Sequence, residues 1–263
     1  MASDPINAAL PPELYDWKDG LPNLFNYAPR KSHEVRIGNC PLGGDHPLRI
    51  QSMTTTPTAD AAASAAQCRT IIEAGADYVR LTAQGTREAE ALREIKETLR
   101  REGFDTPLVA DIHFNPNVAD VAAEIVEKVR INPGNFHRDH NEARKQFARL
   151  IEVCRENGTA IRIGVNHGSL GDYITNLYGN TPEAMAKAAL EWLKMCEDAD
   201  FHNVVVSLKS SNTIVMVEAY RKLMAAMKEK GVIYPLHVGV TEAGNGDSGR
   251  IKSCVGISTL LSE

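Results

Sequence analysis

The chain has 263 residues, 43% of them hydrophobic and 24% charged, with a formal net charge of −5. That length suits one α/β barrel of about 250 residues, and the apolar share is enough for a full core without disulfides or metals. The negative balance argues against a general nucleic-acid binder, and no apolar run approaches the ~20 residues a membrane helix needs.

Residues 1–33 carry Asp4, Glu13, Asp16 and Asp19 among several prolines. This fits neither a secretory signal nor an Arg-rich transit peptide, so a loosely structured N-terminal extension of a cytoplasmic protein is expected. The barrel domain is expected over 34–263. It opens with a hairpin (Val35, Ile37, then Gly43, Gly44 and Asp45) that runs into a first strand at 50–53. A helix over 61–73 follows, with Thr58 or Asp60 as its cap and Gly75 as its stop. Further strands are expected at 78–82, 108–112, 129–132, 161–165, 204–208 and 236–240. Helices are expected between them at 87–102, 118–127, 140–156, 182–198 and 214–230, with a last one at 250–261. A repeated βα unit predicts a parallel sheet that closes as a (β/α)₈ TIM-type barrel. Seven of eight units are counted, so the domain is expected to stop short of its eighth strand.

The five cysteines, Cys40, Cys68, Cys154, Cys196 and Cys254, are single and form no Cys-x-x-Cys pair. They signal neither a zinc site nor a disulfide framework and fit a reducing compartment.

Four expected strands carry a cation, at Arg80, Arg130, Arg162 and Lys209. Strands buried on both faces normally run Val, Ile and Leu, and a charge there costs several kcal/mol unless an anion meets it. One such residue can pair with a neighbour such as Asp111 or Glu242; four together point to a phosphorylated ligand, with the arginines as forked donors and Lys209 as a point charge. Lys209 also has the position of a Schiff-base lysine, although an anion clamp is favoured. Active sites of such barrels lie at the C-terminal strand ends. Gln51, Ser52, Thr54, Thr82, Asp111, His113, Asn132, Asn135, Asn166, Ser207, Ser210, His237, Thr241 and Glu242 fall there. Asp111 and His113 alternate on one strand and share a face, but no further His or Cys converges on them and no metal is expected. Glu242 lies just past a strand, where a carboxyl group can exchange protons. The run 244–249 leads into a helix whose first N–H groups suit a phosphate.

Five ordered motifs then carry a resemblance: Gln-Ser-Met-Thr at 51–54, Val-Ala-Asp-Ile-His-Phe at 109–114, Arg-Ile-Asn-Pro-Gly-Asn at 130–135, Arg-Ile-Gly-Val-Asn at 162–166 and Gly-Val-Thr-Glu-Ala-Gly at 239–244. From about Arg30 to Glu263 the chain resembles the N-terminal barrel of the 4-hydroxy-3-methylbut-2-enyl diphosphate synthases of the methylerythritol phosphate route to isoprenoids. The resemblance implies a two-electron reductive opening of 2-C-methyl-D-erythritol 2,4-cyclodiphosphate with loss of water. It implies substrate-binding roles for Arg80, Arg130, Arg162, Lys209, His113, Asn132, Asn135, Asn166, Ser207 and Thr241, and makes Glu242 and Asp111 the candidate catalytic groups. It further implies a homodimer, a [4Fe-4S] cluster in a C-terminal domain, and ferredoxin or flavodoxin as electron donor. The cluster ligands are absent from this sequence, so the chain alone is expected to bind diphosphates weakly without turnover. A pterin-binding barrel of the dihydropteroate synthase type and a non-catalytic phosphate-binding domain are the competing readings.

Overall fold

The computed structural model describes residues 30–263, so the expected extension over 1–33 lies outside the described residues as far as residue 29. In chain order the elements are β1 (Gln51–Met53), α1 (Ala61–Glu73), β2 (Tyr78–Ala83), α2 (Thr86–Arg101), β3 (Leu108–Ile112), α3 (Pro116–Ala123), β4 (Lys128–Ile131), α4 (Pro133–Phe136), α5 (His140–Asn157), β5 (Ala160–Asn166), α6 (Asp172–Tyr178), α7 (Pro182–Asp198), β6 (Val204–Lys209), α8 (Thr213–Lys230) and α9 (Gly246–Leu261). The six strands pair in parallel and in sequential order, forming an incomplete α/β barrel.

Period-two alternation sorts the strand residues into two environments. Val79, Leu81, Leu108, Ala110, Val129, Ile131, Ile161, Ile163, Val204, Val206 and Leu208 face the helices and belong to the main core. The helices meet them with an apolar stripe, as in α2, where Ala89, Leu92, Ile95 and Leu99 are buried at helical spacing. The alternate strand residues face the concave interior. At the N-terminal end of the strands that interior is apolar: Tyr78, Val109, Ala160 and Val205 pack against Val35 and Ile37. The segment bearing Val35 is thus a plug. Asn203 locks it by accepting from Arg36 N at 2.7 Å and donating to Arg36 O at 3.0 Å.

Local signals explain most boundaries. Asp60, rather than Thr58, caps α1 by accepting from Ala63 N at 3.0 Å. Asn115, Asp139, Thr181 and Asn212 cap α3, α5, α7 and α8 with their side chains.

Several expectations need correction. The antiparallel bridge joins Val35 to Leu42, so the hairpin turns before Gly43 rather than at it. α3 ends at Ala123 and α9 begins at Gly246, inside the glycine-rich run. The short helices α4 and α6 were not expected. The seventh strand, expected at 236–240, is reduced to one parallel bridge between Val206 and Leu236. The cause is Tyr220. Val206 N donates to Pro235 O at 3.1 Å and His237 N to Val206 O at 2.8 Å, as a ladder requires. Beyond that point the Tyr220 hydroxyl accepts from Leu208 N at 2.9 Å and donates to His237 O at 2.6 Å, wedging the two chains apart. Backbone groups stay satisfied while the ladder stops.

Candidate anion site

Above the apolar plug the same concave face becomes charged. Strand register sets Asp111 beside Arg130, Arg130 beside Arg162, Gly164 beside Ser207 and Asn166 beside Lys209. Alternation keeps Arg80, Asp111, Lys128, Arg130, Arg162, Ser207 and Lys209 on the interior side. Five basic side chains (Arg80, Lys128, Arg130, Arg162, Lys209) therefore face the interior, and Asp111 is the acidic residue among the interior-facing strand positions.

Asp111 is 2% exposed and is shared. Its Oδ1 lies 2.9 Å from Arg130 Nη1, and its Oδ2 lies 3.4 Å from Arg80 Nη2 and 3.9 Å from His113 Nε2. Burial presses its carboxyl upward, yet Arg130, then Arg80 and Arg162, overcome this and hold it below the usual carboxylate range. Arg130 also donates from Nη2 to Gly164 O at 2.9 Å. A Cβ on residue 164 would sit 2.3 Å from Arg130 Nε, so glycine there is what lets the side chain cross β5.

Arg162 is 1% exposed. It donates from Nη1 to Ser207 Oγ at 2.9 Å, while its Nε and Nη2 find no partner among the described residues. Arg80 Nε, Arg130 Nε and His113 Nδ1 are likewise orphaned, and Arg80 Nη2 rests on the Met53 thioether at 3.0 Å, a weak acceptor. A buried unsatisfied donor on a charged group costs upward of ~2 kcal/mol, so this cluster is under-satisfied by design of its sequence. Burial first, then Arg162, Arg80 and Arg130, bring the Lys209 amine down to about 6. Burial, then Arg162 and Lys209, push His237 well below its ordinary value.

Of the other expected residues, Asn166 reaches the cluster and Asn132 bonds beside it. With its amide oxygen turned toward β4, Asn166 accepts from Arg130 Nη2 at 3.2 Å. Asn132 braces the rim: its Nδ2 donates to Ser169 Oγ at 3.0 Å and its Oδ1 accepts from Gly134 N at 3.1 Å. Asn135 and Thr241 are half-buried and Glu242 is exposed. Glu242 pairs with none of the cations, so Asp111 is the structural counter-ion. The Glu242 φ of +50° is a left-handed conformation that costs a non-glycine residue ~1 kcal/mol or more. Lys128 was not among the expected residues. It is 1% exposed, and its Nζ lies 4.1 Å from the centroid of the Tyr78 ring. The Lys-Val-Arg alternation at 128–130 was the signal that places it on the face of Arg130.

The family model described as the GcpE TIM-barrel domain matches residues 32–263. The chain belongs to this family. Among curated relatives, a protein of Phocaeicola vulgatus named 4-hydroxy-3-methylbut-2-en-1-yl diphosphate synthase (flavodoxin) is 53% identical over 258 residues, covering 92% of this chain and 42% of the relative. A rice (Oryza sativa subsp. japonica) protein named 4-hydroxy-3-methylbut-2-en-1-yl diphosphate synthase (ferredoxin), chloroplastic, is 47% identical, covering 91% of this chain and 34% of that protein. The chain thus spans about two fifths or less of the length of these relatives. Among solved structures, a type I 3-dehydroquinate dehydratase from Clostridium difficile matches with a TM-score of 0.56 at 9% identity, over 86% of this chain and 84% of that one. Dihydropteroate synthase from Xanthomonas albilineans matches with a TM-score of 0.51 at 15% identity, over 88% of each chain. At those identities the likeness is one of fold alone.

An iron-sulfur cluster needs converging thiolates. Cys68, Cys154 and Cys196 are buried, Cys40 is half-buried and Cys254 exposed, and burial pushes the Cys68 thiol up to about 12. Among the described residues no group of His, Cys, Asp and Glu converges to hold a metal. The residues present do not fit a cluster. No described helix is long and apolar enough to cross a membrane.

Proposed function

We propose that this chain is the substrate-gripping barrel of an oxidoreductase that opens 2-C-methyl-D-erythritol 2,4-cyclodiphosphate to 4-hydroxy-3-methylbut-2-enyl diphosphate. The observation that carries the reading is Arg162, buried, charged and with two donor nitrogens unpartnered. A cyclic diphosphate supplies what the cluster lacks: two negative charges and several acceptor oxygens in a small volume. The family membership and the names of the relatives support the same substrate class.

In this reading Arg80, Arg130 and Arg162 each present guanidinium donors to the phosphate oxygens, with Lys209 completing the clamp. Asp111, one of two candidate catalytic groups, works as a positioning residue: it fixes Arg80 and Arg130 and, held ionised, is a poor proton donor. Ser207 orients Arg162, and Asn166 steadies Arg130. His113, Asn132, Asn135 and Thr241 line the rim above the anion. Glu242, on its strained loop, is the proton donor for the carbon-bound hydroxyl that leaves as water, while the ring C–O bond that breaks leaves its oxygen on phosphorus as an anion. No residue of this chain would hold a redox group; the two electrons would be supplied from outside it, by an iron-sulfur group fed by flavodoxin or ferredoxin in a longer, dimeric protein.

Calorimetric titration tests the reading. The cyclodiphosphate should bind saturably at one site per chain, 7,8-dihydropterin should not bind, and the isolated iron-free chain with a reductant should give no turnover. Failure of the cyclodiphosphate to bind, or tighter binding of the pterin, would overturn it.

A further inference from the structure

We propose that an anion entering the concave face brings one proton with it, taken up by Lys209 Nζ, so that ligand capture and protonation of this lysine are a single event. The proposal rests on the anion-site reading above and assigns to one residue a role that the other cations do not share.

Lys209 closes β6 and points into the interior opposite Asn166. The backbone after β6 walls it in, since a Cβ on Gly239 would sit 3.3 Å from Nζ. The groups that act on it from the neighbouring elements are Arg162 on β5, Arg80 on β2, Arg130 on β4 and Asp111 on β3. His237, on the segment after β6, feels both Lys209 and Lys128, and Lys128, from below, feels Arg162 and Arg80. Only Asp111 among these is anionic, and both its oxygens are engaged by Arg130 and Arg80. No carboxylate lies within ion-pair distance of Lys209 among the described residues.

Three guanidiniums and an amine thus share one carboxylate in a buried space. Guanidiniums keep their protons at any ordinary pH, whereas a buried amine gives its proton up readily. The repulsion is therefore relieved at Lys209, which the surrounding field brings down to about 6. Near pH 7.5 the empty site holds a neutral amine with its lone pair free. A dianion placed among the same side chains reverses the sign of the field and favours the ammonium form. The amine lone pair then takes one proton from the buffer, and the complex gains one proton relative to its parts. A cyclic diphosphate contributes no proton, because each phosphorus carries one strongly acidic oxygen that is already ionised.

Linkage fixes the sign of the pH effect. A group that binds a proton in the complex but not in the free protein weakens binding as pH rises, by up to about tenfold per unit. That decline begins above about pH 6, where the free amine loses its proton, and ends where the bound ammonium titrates. His237 and Lys128 are the alternative proton acceptors, and variants separate them from Lys209.

The test is titration calorimetry of the chain with 2-C-methyl-D-erythritol 2,4-cyclodiphosphate near pH 7.5, in buffers of different ionisation enthalpy. The expected result is uptake close to one proton per ligand bound and a Kd that rises about twentyfold between about pH 6.5 and 8. In K209R, whose guanidinium is charged throughout, binding persists, uptake falls close to zero and the Kd profile flattens. In K128M and H237Q the uptake stays close to one. The wild-type Kd profile is a second readout that needs no variant to fold. Saturable wild-type binding with no proton exchange, or uptake unchanged in K209R, overturns the inference and leaves the anion-site reading standing. Absence of any binding removes both.

Discussion

The two ends of the barrel interior obey opposite rules although the same strands build them. At the N-terminal end Val109, Ala160 and Val205 meet Val35 and Ile37 in a closed apolar layer. Two residues further along the same strands stand Asp111, Arg162 and Ser207, and beyond Tyr78 stands Arg80. The lower layer is stabilised by burial at about 25 cal/mol per Å². The upper one carries like charges and orphaned donors that lower stability. A fold that needed only to be stable would extend the lower layer upward, and this supports the proposed anion site in the upper one.

This contrast can be broken or tightened by substitution in each layer. The largest effect is expected for Arg162→Met. It should weaken cyclodiphosphate binding about a hundredfold, the ~3 kcal/mol typical of deleting one member of a buried charged contact, while leaving thermal stability equal or higher. Asp111→Asn should lower stability by ~3 kcal/mol, because Arg80 and Arg130 lose their shared counter-ion, and denaturant unfolding measures it. In the lower layer Val205→Ala should cost ~2 kcal/mol of stability with ligand affinity unchanged. A loss of affinity in Val205→Ala equal to that in Arg162→Met would erase the distinction between the layers.

The ligand-free chain should also become more stable as pH rises from 7 toward 9. Lys209 titrates at about 6 in the fold and near 10.4 in the unfolded chain. Between those values the unfolded state binds more protons, so the unfolding free energy climbs with pH. Lys128, pushed down by burial and then by Arg162, acts in the same direction. Urea midpoints across that range read the slope, and K209M should make it shallower; a slope unchanged in K209M would move the effect to Lys128. The smallest effect is expected for Gly164→Ala. Its new methyl displaces Arg130 and should reduce affinity about tenfold, for a packing strain of ~1–2 kcal/mol.

The upper layer was the more legible of the two in the sequence. Arg130 and Arg162 interrupt Val/Ile runs, and a guanidinium in a strand buried on both faces announces itself. The plug was half legible, because Val35 and Ile37 alternate as a strand should, but the turn was placed at Gly43 when Leu42 already pairs with Val35. Lys128 escaped because the stretch before it reads as a helix that runs to 127, whereas α3 stops at Ala123. The seventh strand looked regular from Leu236 to Val240, and nothing local shows that Tyr220, on a separate helix, takes the hydrogen bonds its ladder would have used. Contacts of that kind are long-range and leave no periodic mark. Nor does the sequence show that Asp111 serves Arg80 and Arg130 at once, since the sharing depends on the register of three strands.

The most direct test is a crystal structure of the chain grown with the cyclodiphosphate. Phosphate oxygens are expected within hydrogen-bond distance of Arg162 Nη2, Arg80 and Lys209, with Arg80 drawn off the Met53 thioether and the Asp111–Arg130 pair intact. A saturated ligand bound outside the concave face, with Arg162 Nη2 still unpartnered, would contradict it.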